Sequence, residues 1–212
     1  MNRISGYLSW RKNLEIKRIE ICGGIASGKT TLAKLIARYR FPLLLENFRK
    51  NPFWRLFYCN PKEYAFATEL TFFLQHYSQI NEQLRHPQRF VSDFSTVQDA
   101  AYADVNLKRS DRVAFMGVYT HLTRRLPPPS LLIRLRCSAD EELRRIRARA
   151  RPEEAPIQVK YLRAINAAIQ LRTLQREKEV PILEIDSDEL DFAHDARAKR
   201  AVVELALNKL TR

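Results

Sequence analysis

Residues 17–31 read KRIEICGGIASGKTT, and no other stretch restricts the fold of the chain so tightly. Ile19–Cys22 is a short apolar run with one glutamate in it, the pattern of a buried strand. Gly23, then Gly28, Lys29 and Thr30 follow at the spacing of a phosphate-binding loop. The next residues, TLAKLIARYR, put Leu32, Leu35 and Ile36 on one side, which predicts a helix starting at the loop. The spacing has a physical purpose. Glycines let successive backbone N–H groups turn inward around phosphate oxygens, and the helix N-terminus adds positive potential. Gly23, Gly24, Ile25, Ala26, Ser27, Gly28, Lys29, Thr30 and Thr31 are therefore candidates for holding ATP. Lys29 would reach the β- and γ-phosphates, and the Thr30 hydroxyl would ligate Mg²⁺.

The rest of the chain alternates as an α/β domain around such a loop requires. Strands are predicted at Ile19–Cys22, Phe41–Glu46 (FPLLLE), Arg89–Asp93, Leu131–Leu135 and Ile182–Ile185. Helical patterns run from Pro61 to about His86, then over Thr96–Leu107, Asp111–Leu126, Ala139–Arg149, Gln158–Lys178 and Ala193–Leu210. The expectation is a P-loop NTPase fold: three layers, α/β/α, around a central five-stranded parallel sheet. Its 212 residues form one domain spanning 1–212, enough to bury roughly 70% of the unfolded surface. RARARPEEAP stands out as an Arg-rich turn, because Pro152 and Pro156 break the helical pattern there.

Composition narrows the setting. No apolar run approaches the ~18 residues of a membrane span, so no membrane partner is expected. The N-terminus is basic and has no apolar core, so it is not a secretory signal, although an organelle address is also basic. Three scattered cysteines suit reduced thiols and a cytoplasmic location. The net charge of +13 invites a nucleic-acid partner. The arginines, however, alternate with glutamates on helices, as in EELRRIRARARPEE, and a solvated basic surface with a few phosphate-binding arginines is the favoured reading.

Ligands of open α/β sheets bind beyond the carboxyl ends of the strands. Two strand ends besides the glycine loop carry carboxylates, Glu46 and Asp93. A kinase that phosphorylates an alcohol needs one carboxylate to take the hydroxyl proton and another to help hold Mg²⁺. Glu46 and Asp93 fit these posts. Arg145 and Arg149 lie four apart on a predicted helix and could embrace one phosphate chain. Glu69, Phe73 and His76 follow helical i, i+4, i+7 spacing and suggest a polar-aromatic pocket wall.

Together these pieces resemble the deoxynucleoside kinase family over about residues 18–185, and the chain is identified as a divergent, bacterial-type member. The resemblance implies roles. Glu46 matches the general base acting on the sugar 5′-hydroxyl. In FYCNPKEYAFATEL, Tyr58 matches the tyrosine at the 3′-hydroxyl, and Glu154 the glutamate that joins it. Asp93–Phe94–Ser95 falls on the family's acidic-Arg-Ser signature, with Asp99 four residues later. RRIRARARPEEAPIQVKYL resembles the family's lid, at about 145–157, with Arg145, Arg149 and Arg151 as its phosphate-clamping arginines. A homodimer is also implied. Two departures stand out. Phe94 occupies the arginine position, and Glu69 the usual base-reading glutamine. An ionised Glu accepts but cannot donate, so Glu69 suits a base edge rich in N–H donors, or must be protonated.

The leading expectation is a nucleoside kinase that transfers the ATP γ-phosphate to the 5′-hydroxyl of a deoxynucleoside, as in nucleoside salvage. The competing readings are a P-loop kinase for another small acceptor, such as a nucleoside monophosphate, and a non-catalytic nucleotide- or nucleic-acid-binding protein. Catalysis is expected from Glu46, Lys29, Asp93 and Arg145, substrate binding from Glu46, Tyr58, Glu69, Phe73, His76, Asp99 and Glu154, and metal binding from Thr30 and Asp93. Lys29→Ala is predicted to abolish phosphoryl transfer in a labelled-ATP assay, because no other residue of the loop carries charge. Turnover at the parent rate would remove the phosphate-loop assignment.

Overall fold

The computed structural model describes residues 18–86 and 88–210. The basic N-terminal stretch, and any reading of it as a signal, lies outside them. Five parallel strands form one sheet: β1 (Arg18–Gly23), β2 (Leu43–Leu44), β3 (Phe90–Ser92), β4 (Leu131–Arg136) and β5 (Ile182–Asp186), in the order β2-β3-β1-β4-β5. Among the described residues there are eight α-helices: α1 (Lys29–Ala37), α2 (Trp54–Cys59), α3 (Pro61–Gln83), α4 (Thr96–Asn106), α5 (Arg109–Thr123), α6 (Ala139–Arg149), α7 (Val159–Leu174) and α8 (Ala196–Leu210).

Strand β1 explains the layers. It is buried along its whole length, and its side chains alternate between the two faces. Ile19 and Ile21 pack with Leu32 and Ile36 of α1 and Val202 and Val203 of α8. Cys22 faces the other way and joins Val97 and Ala101 of α4 and Ile165 and Ile169 of α7. Helices α3 and α5 form a further layer outside α4, around Phe73, Phe115 and Ala103. The α/β/α architecture expected from the alternating pattern is the one found.

Helix starts obey local chemistry. The Ser95 hydroxyl accepts from the Gln98 N–H and caps α4, at 3.0 Å. Ser138 does the same for α6, whose first turn carries Asp140, Glu141 and Glu142 against the helix dipole. Pro61 opens α3, where a missing N–H costs nothing. Buried Glu20 on β1 pairs with Arg18 at 3.2 Å and accepts from the Thr96 N–H at 3.3 Å, which ties the start of α4 to the central strand.

The structure differs from the sequence expectation at two places. The strand expected over FPLLLE is only Leu43–Leu44, at the sheet edge. Beyond it the chain leaves the ladder, because the Glu46 N–H is taken by the Asp93 carboxylate. Helix α2 was not foreseen; six residues are too short to show a periodic pattern. The result is a sheet whose carboxyl edge brings the glycine loop, Glu46 and Asp93 together where the connections diverge to opposite sides of β1.

Candidate active site

A cavity of about 520 Å³ opens at that edge. Its floor is the loop from Ile25 to Thr31, and its walls come from α2, α3, α4 and the segment 145–154. The loop is shaped by Gly28, whose φ of 102° is in the region that favours glycine. Gly24 is fixed by crowding, since a Cβ there would run into the carboxylate of Glu142 and the amide of Asn166. Gly23 and Gly24 do not line the cavity. Their carbonyls accept from Lys29 Nζ at 3.0 and 2.7 Å. Burial holds the Lys29 ammonium below its ordinary value despite nearby Glu46 and Asp93, so an anion in the loop would relieve it.

Asp93 is the junction of the site. Its Oδ2 accepts from the Thr30 hydroxyl and its Oδ1 from the Glu46 N–H, both at 2.6 Å. Burial raises its pKa against these two hydrogen bonds. Among the described residues no group of three or more His, Cys, Asp or Glu side chains could hold a metal. A hydroxyl and one carboxylate beside a phosphate loop are nevertheless the hard-oxygen set Mg²⁺ uses when phosphates and water complete its shell. Thr30 and Asp93 fit that role.

Glu46 and His76 face each other across the cavity. His76 Nε2 lies 3.5 Å from Glu46 Oε2, while His76 Nδ1 is 2.8 Å from Asp99 Oδ1. Burial opposes the charge on Glu46, but the contact with His76 and the charges of Lys29 and Arg151 outweigh it, so its carboxyl sits below the ordinary value. Burial likewise opposes charge on His76, yet the charge and hydrogen bond of Asp99, with Glu46 behind them, push its pKa up to about 10. Phe94 does not reach toward the phosphate region. It is fully buried, stacked on the His76 ring with centroids 4.0 Å apart and planes 8° apart.

Farther in, Glu69 Oε1 accepts from Asn106 Nδ2 at 2.8 Å, and Tyr161 lies 3.1 Å from the same nitrogen. Burial pushes Glu69 up to about 8. Phe73 does not join this wall. It is buried in the aromatic cluster with Tyr77, Phe115 and Tyr119, and Phe72 lines the cavity instead. The helix turns 100° per residue, so i+3 from Glu69 reaches the pocket face that i+4 overshoots. Thr68, Gln98, Tyr102 and Tyr161 also line the cavity and were not singled out by sequence. Tyr102 lies one helical turn from Asp99 on α4, which could have signalled it; Tyr161, on another helix, carried no such mark.

The lid arginines line the cavity but do not share a target. Arg145 donates to Glu141, to the Ala26 carbonyl and to the Ser187 carbonyl. Arg149 forks onto Glu154 with two 2.7 Å hydrogen bonds, and Arg151 joins it at 3.2 Å. One turn of helix therefore did not put Arg145 and Arg149 on one partner, because Glu141 and Glu154 each capture one. Glu154 is buried beside Tyr58 in the same cavity.

Residues 19–212 match the family model for deoxynucleoside kinase. The chain belongs to the deoxynucleoside kinase family. It is 31% identical over 182 residues to a deoxyguanosine kinase of Bacillus subtilis, covering 82% of this chain and 88% of that protein. It is 25% identical over 185 residues to a deoxyadenosine kinase of Dictyostelium discoideum, covering 84% and 76%. In fold it is similar to a deoxyadenosine kinase from M. mycoides solved with the products dCMP and a flexible dCDP bound. That match has a TM-score of 0.78 at 22% identity and covers 92% of this chain and 98% of the other. The expected nucleoside-kinase assignment and P-loop fold are those of the family. Among the described residues no helix is long and apolar enough to cross a membrane.

The buried Glu69 generates a stability prediction. Its pKa is raised from the ordinary 4.5 to about 8, so its protonation favours the folded state at low pH, and that advantage is lost as pH rises through this window. Glu69→Gln removes the titration. The melting temperature of the variant relative to the parent should therefore be higher at pH 9 than at pH 5; an equal difference at both pH values would show Glu69 to be already ionised in the fold.

Proposed function

We propose that this kinase phosphorylates the 5′-hydroxyl of a purine deoxynucleoside, deoxyguanosine foremost, with Glu46 as general base. The observation that carries the reading is the placement of Glu46: its carboxylate lines the cavity, one backbone step from the Asp93–Thr30 junction at the phosphate loop. Acceptor hydroxyl, base and phosphates can meet only there. The hydroxyl oxygen attacks the γ-phosphorus, its proton passes to Glu46, and the bond to the β–γ bridging oxygen breaks to leave ADP. Lys29 gives up its loop carbonyls for the β- and γ-phosphates, and Arg145, Arg149 and Arg151 add charge from the lid side. Thr30 and Asp93 would hold Mg²⁺, which supplies charge neutralisation at the phosphates.

Tyr58 and Glu154, which line the cavity, are assigned to the sugar 3′-hydroxyl, and Glu69, Phe72 and Asp99, which line it too, to the base. One Glu69 oxygen is held by Asn106. An ionised carboxylate there matches the adjacent N1–H and N2–H donors of guanine. A second reading has a specific support: with its pKa near 8, Glu69 can stay protonated at neutral pH, and a carboxylic acid offers the donor and acceptor that adenine needs. The B. subtilis relative is a deoxyguanosine kinase and the D. discoideum relative a deoxyadenosine kinase, so both bases occur among relatives. Exposed Leu74 on α3 and Val113 and Val118 on α5 support a homodimer packed through those helices. The free cysteines Cys22, Cys59 and Cys137 suit a reducing, cytoplasmic setting.

Two outcomes are expected. Glu46→Gln keeps the shape but cannot take a proton at neutral pH, so kcat should fall by about 10²–10⁴ with little change in nucleoside affinity. Loss of affinity at full kcat would make Glu46 a binding residue only. Glu69→Gln, which supplies donor and acceptor together, should move the deoxyguanosine/deoxyadenosine ratio of kcat/KM toward adenine by about tenfold, the worth of one hydrogen-bond mismatch. An unchanged ratio would place base reading elsewhere.

A further inference from the structure

Glu46 from the loop after β2, Glu69 from α3 and Asp99 from α4 line the cavity together with Glu154, and Asp93 at the end of β3 accepts from the Glu46 N–H. Among the described residues, the cations that line the cavity are Lys29, turned onto its own loop, His76, and the lid arginines, of which Arg145 is held by Glu141 and Arg149 and Arg151 by Glu154. The His76 side chain is 2% exposed, and each ring nitrogen faces a carboxylate. A neutral imidazole could donate to only one of them, so this placement suits the doubly protonated ring. Nδ1 is committed to Asp99 by a 2.8 Å bond. Nε2 has no hydrogen-bond partner, although it is buried and lies 3.5 Å from Glu46. Phe94 lies flat beneath the ring and presents an aromatic face, the surface a buried cation prefers. An arginine at 94 would instead set a second cation against the imidazolium. Phe94 and His76 are thus matched, and the residue that looked like a lost charge is the platform for another one.

We propose that His76 is a positioning residue for phosphoryl transfer: anchored through Nδ1 on Asp99 and stacked on Phe94, it presents Nε2–H to the Glu46 carboxylate and keeps that carboxylate aimed at the acceptor hydroxyl. The proposal rests on Glu46 being the base. The His76 pKa, pushed up to about 10, agrees with a ring charged throughout the neutral range. The proton of the acceptor goes to Glu46, not to His76, whose two ring nitrogens both already carry a proton and so cannot receive one. Asp99 acts at one remove, by fixing the ring.

The test combines kinetics and spectroscopy on the full chain. His76→Gln removes the charge and should lower kcat for deoxyguanosine by about tenfold or more, with KM changed less than threefold, because a base that wanders loses orientation and not affinity. The variant His76→Gly leaves a ring-sized gap over Phe94, and added imidazole at pH 6 should restore its activity saturably. In the ¹⁵N-histidine-labelled parent, the His76 signals, assigned by their loss in His76→Gln or from backbone correlations, should show two protonated ring nitrogens at pH 7. That measurement needs no variant to fold. A pyridine-type nitrogen on His76 at pH 7 would overturn the proposal, as would kcat preserved in His76→Gln with KM raised, the sign of a base-reading residue. Full kcat with only a lowered melting temperature would make His76 structural and would also overturn it. Failure of the underlying reading looks different: a parent with no nucleoside activity, or Glu46→Gln at full kcat.

Discussion

Asp93 is the constraint on which the site depends. One carboxylate accepts from the side chain of Thr30 at the start of α1 and from the backbone of Glu46 after β2, both at 2.6 Å. It thereby fixes the phosphate loop, the end of the edge strand and the end of β3 relative to one another. The same bond explains why β2 is only two residues long. The Glu46 N–H that would have extended the ladder is spent on Asp93, and the chain swings Glu46 over the cavity. The phosphate loop and Glu46 are brought to one place by a single side chain.

Around that junction the protein buries more charge than a core tolerates without pairing. The pairing is consistent. Glu20 is matched by Arg18, Asp99 by His76, Glu154 by Arg149 and Arg151, and Asp104 by Arg172 and Arg112. Lys29 is left with only carbonyls, and Glu69 and Glu142 each with the amide of an asparagine, Asn106 and Asn166. On the proposed function, Lys29 and Glu69 would find their partners in the substrates, the triphosphate for one and a base edge for the other. His76 stacks on Phe94, an arrangement worth about 0.5–2 kcal/mol to a cation over an aromatic face.

Much of this was legible in the sequence, and the parts that were not share a cause. The glycine loop, Glu46, Asp93 and the lid arginines were visible because strand ends and a fixed spacing mark them. All the helices except the short α2 showed in the sequence pattern, α1 and α3 to α8. Phe73 was misplaced because periodicity gives a face to about one residue's rotation, and Phe72 and Phe73 lie on either side of the boundary between cavity and core. The stacking of Phe94 on His76 was not legible, because that ring lies eighteen residues upstream on another helix, a contact no local pattern carries. Arg149 lines the cavity, and its guanidinium is held in this structure by Glu154, five residues on.

The central claim is that this cavity transfers a phosphoryl group to a deoxynucleoside 5′-hydroxyl. The most direct measurement is incubation of the purified protein with ATP and Mg²⁺ against the four deoxynucleosides, with ³¹P NMR of the products. The account predicts a 5′-monophosphate and ADP in equal amounts, formed fastest from a purine deoxynucleoside. ATP that stays intact with every nucleoside, or a phosphate found on the 3′-oxygen, would contradict it.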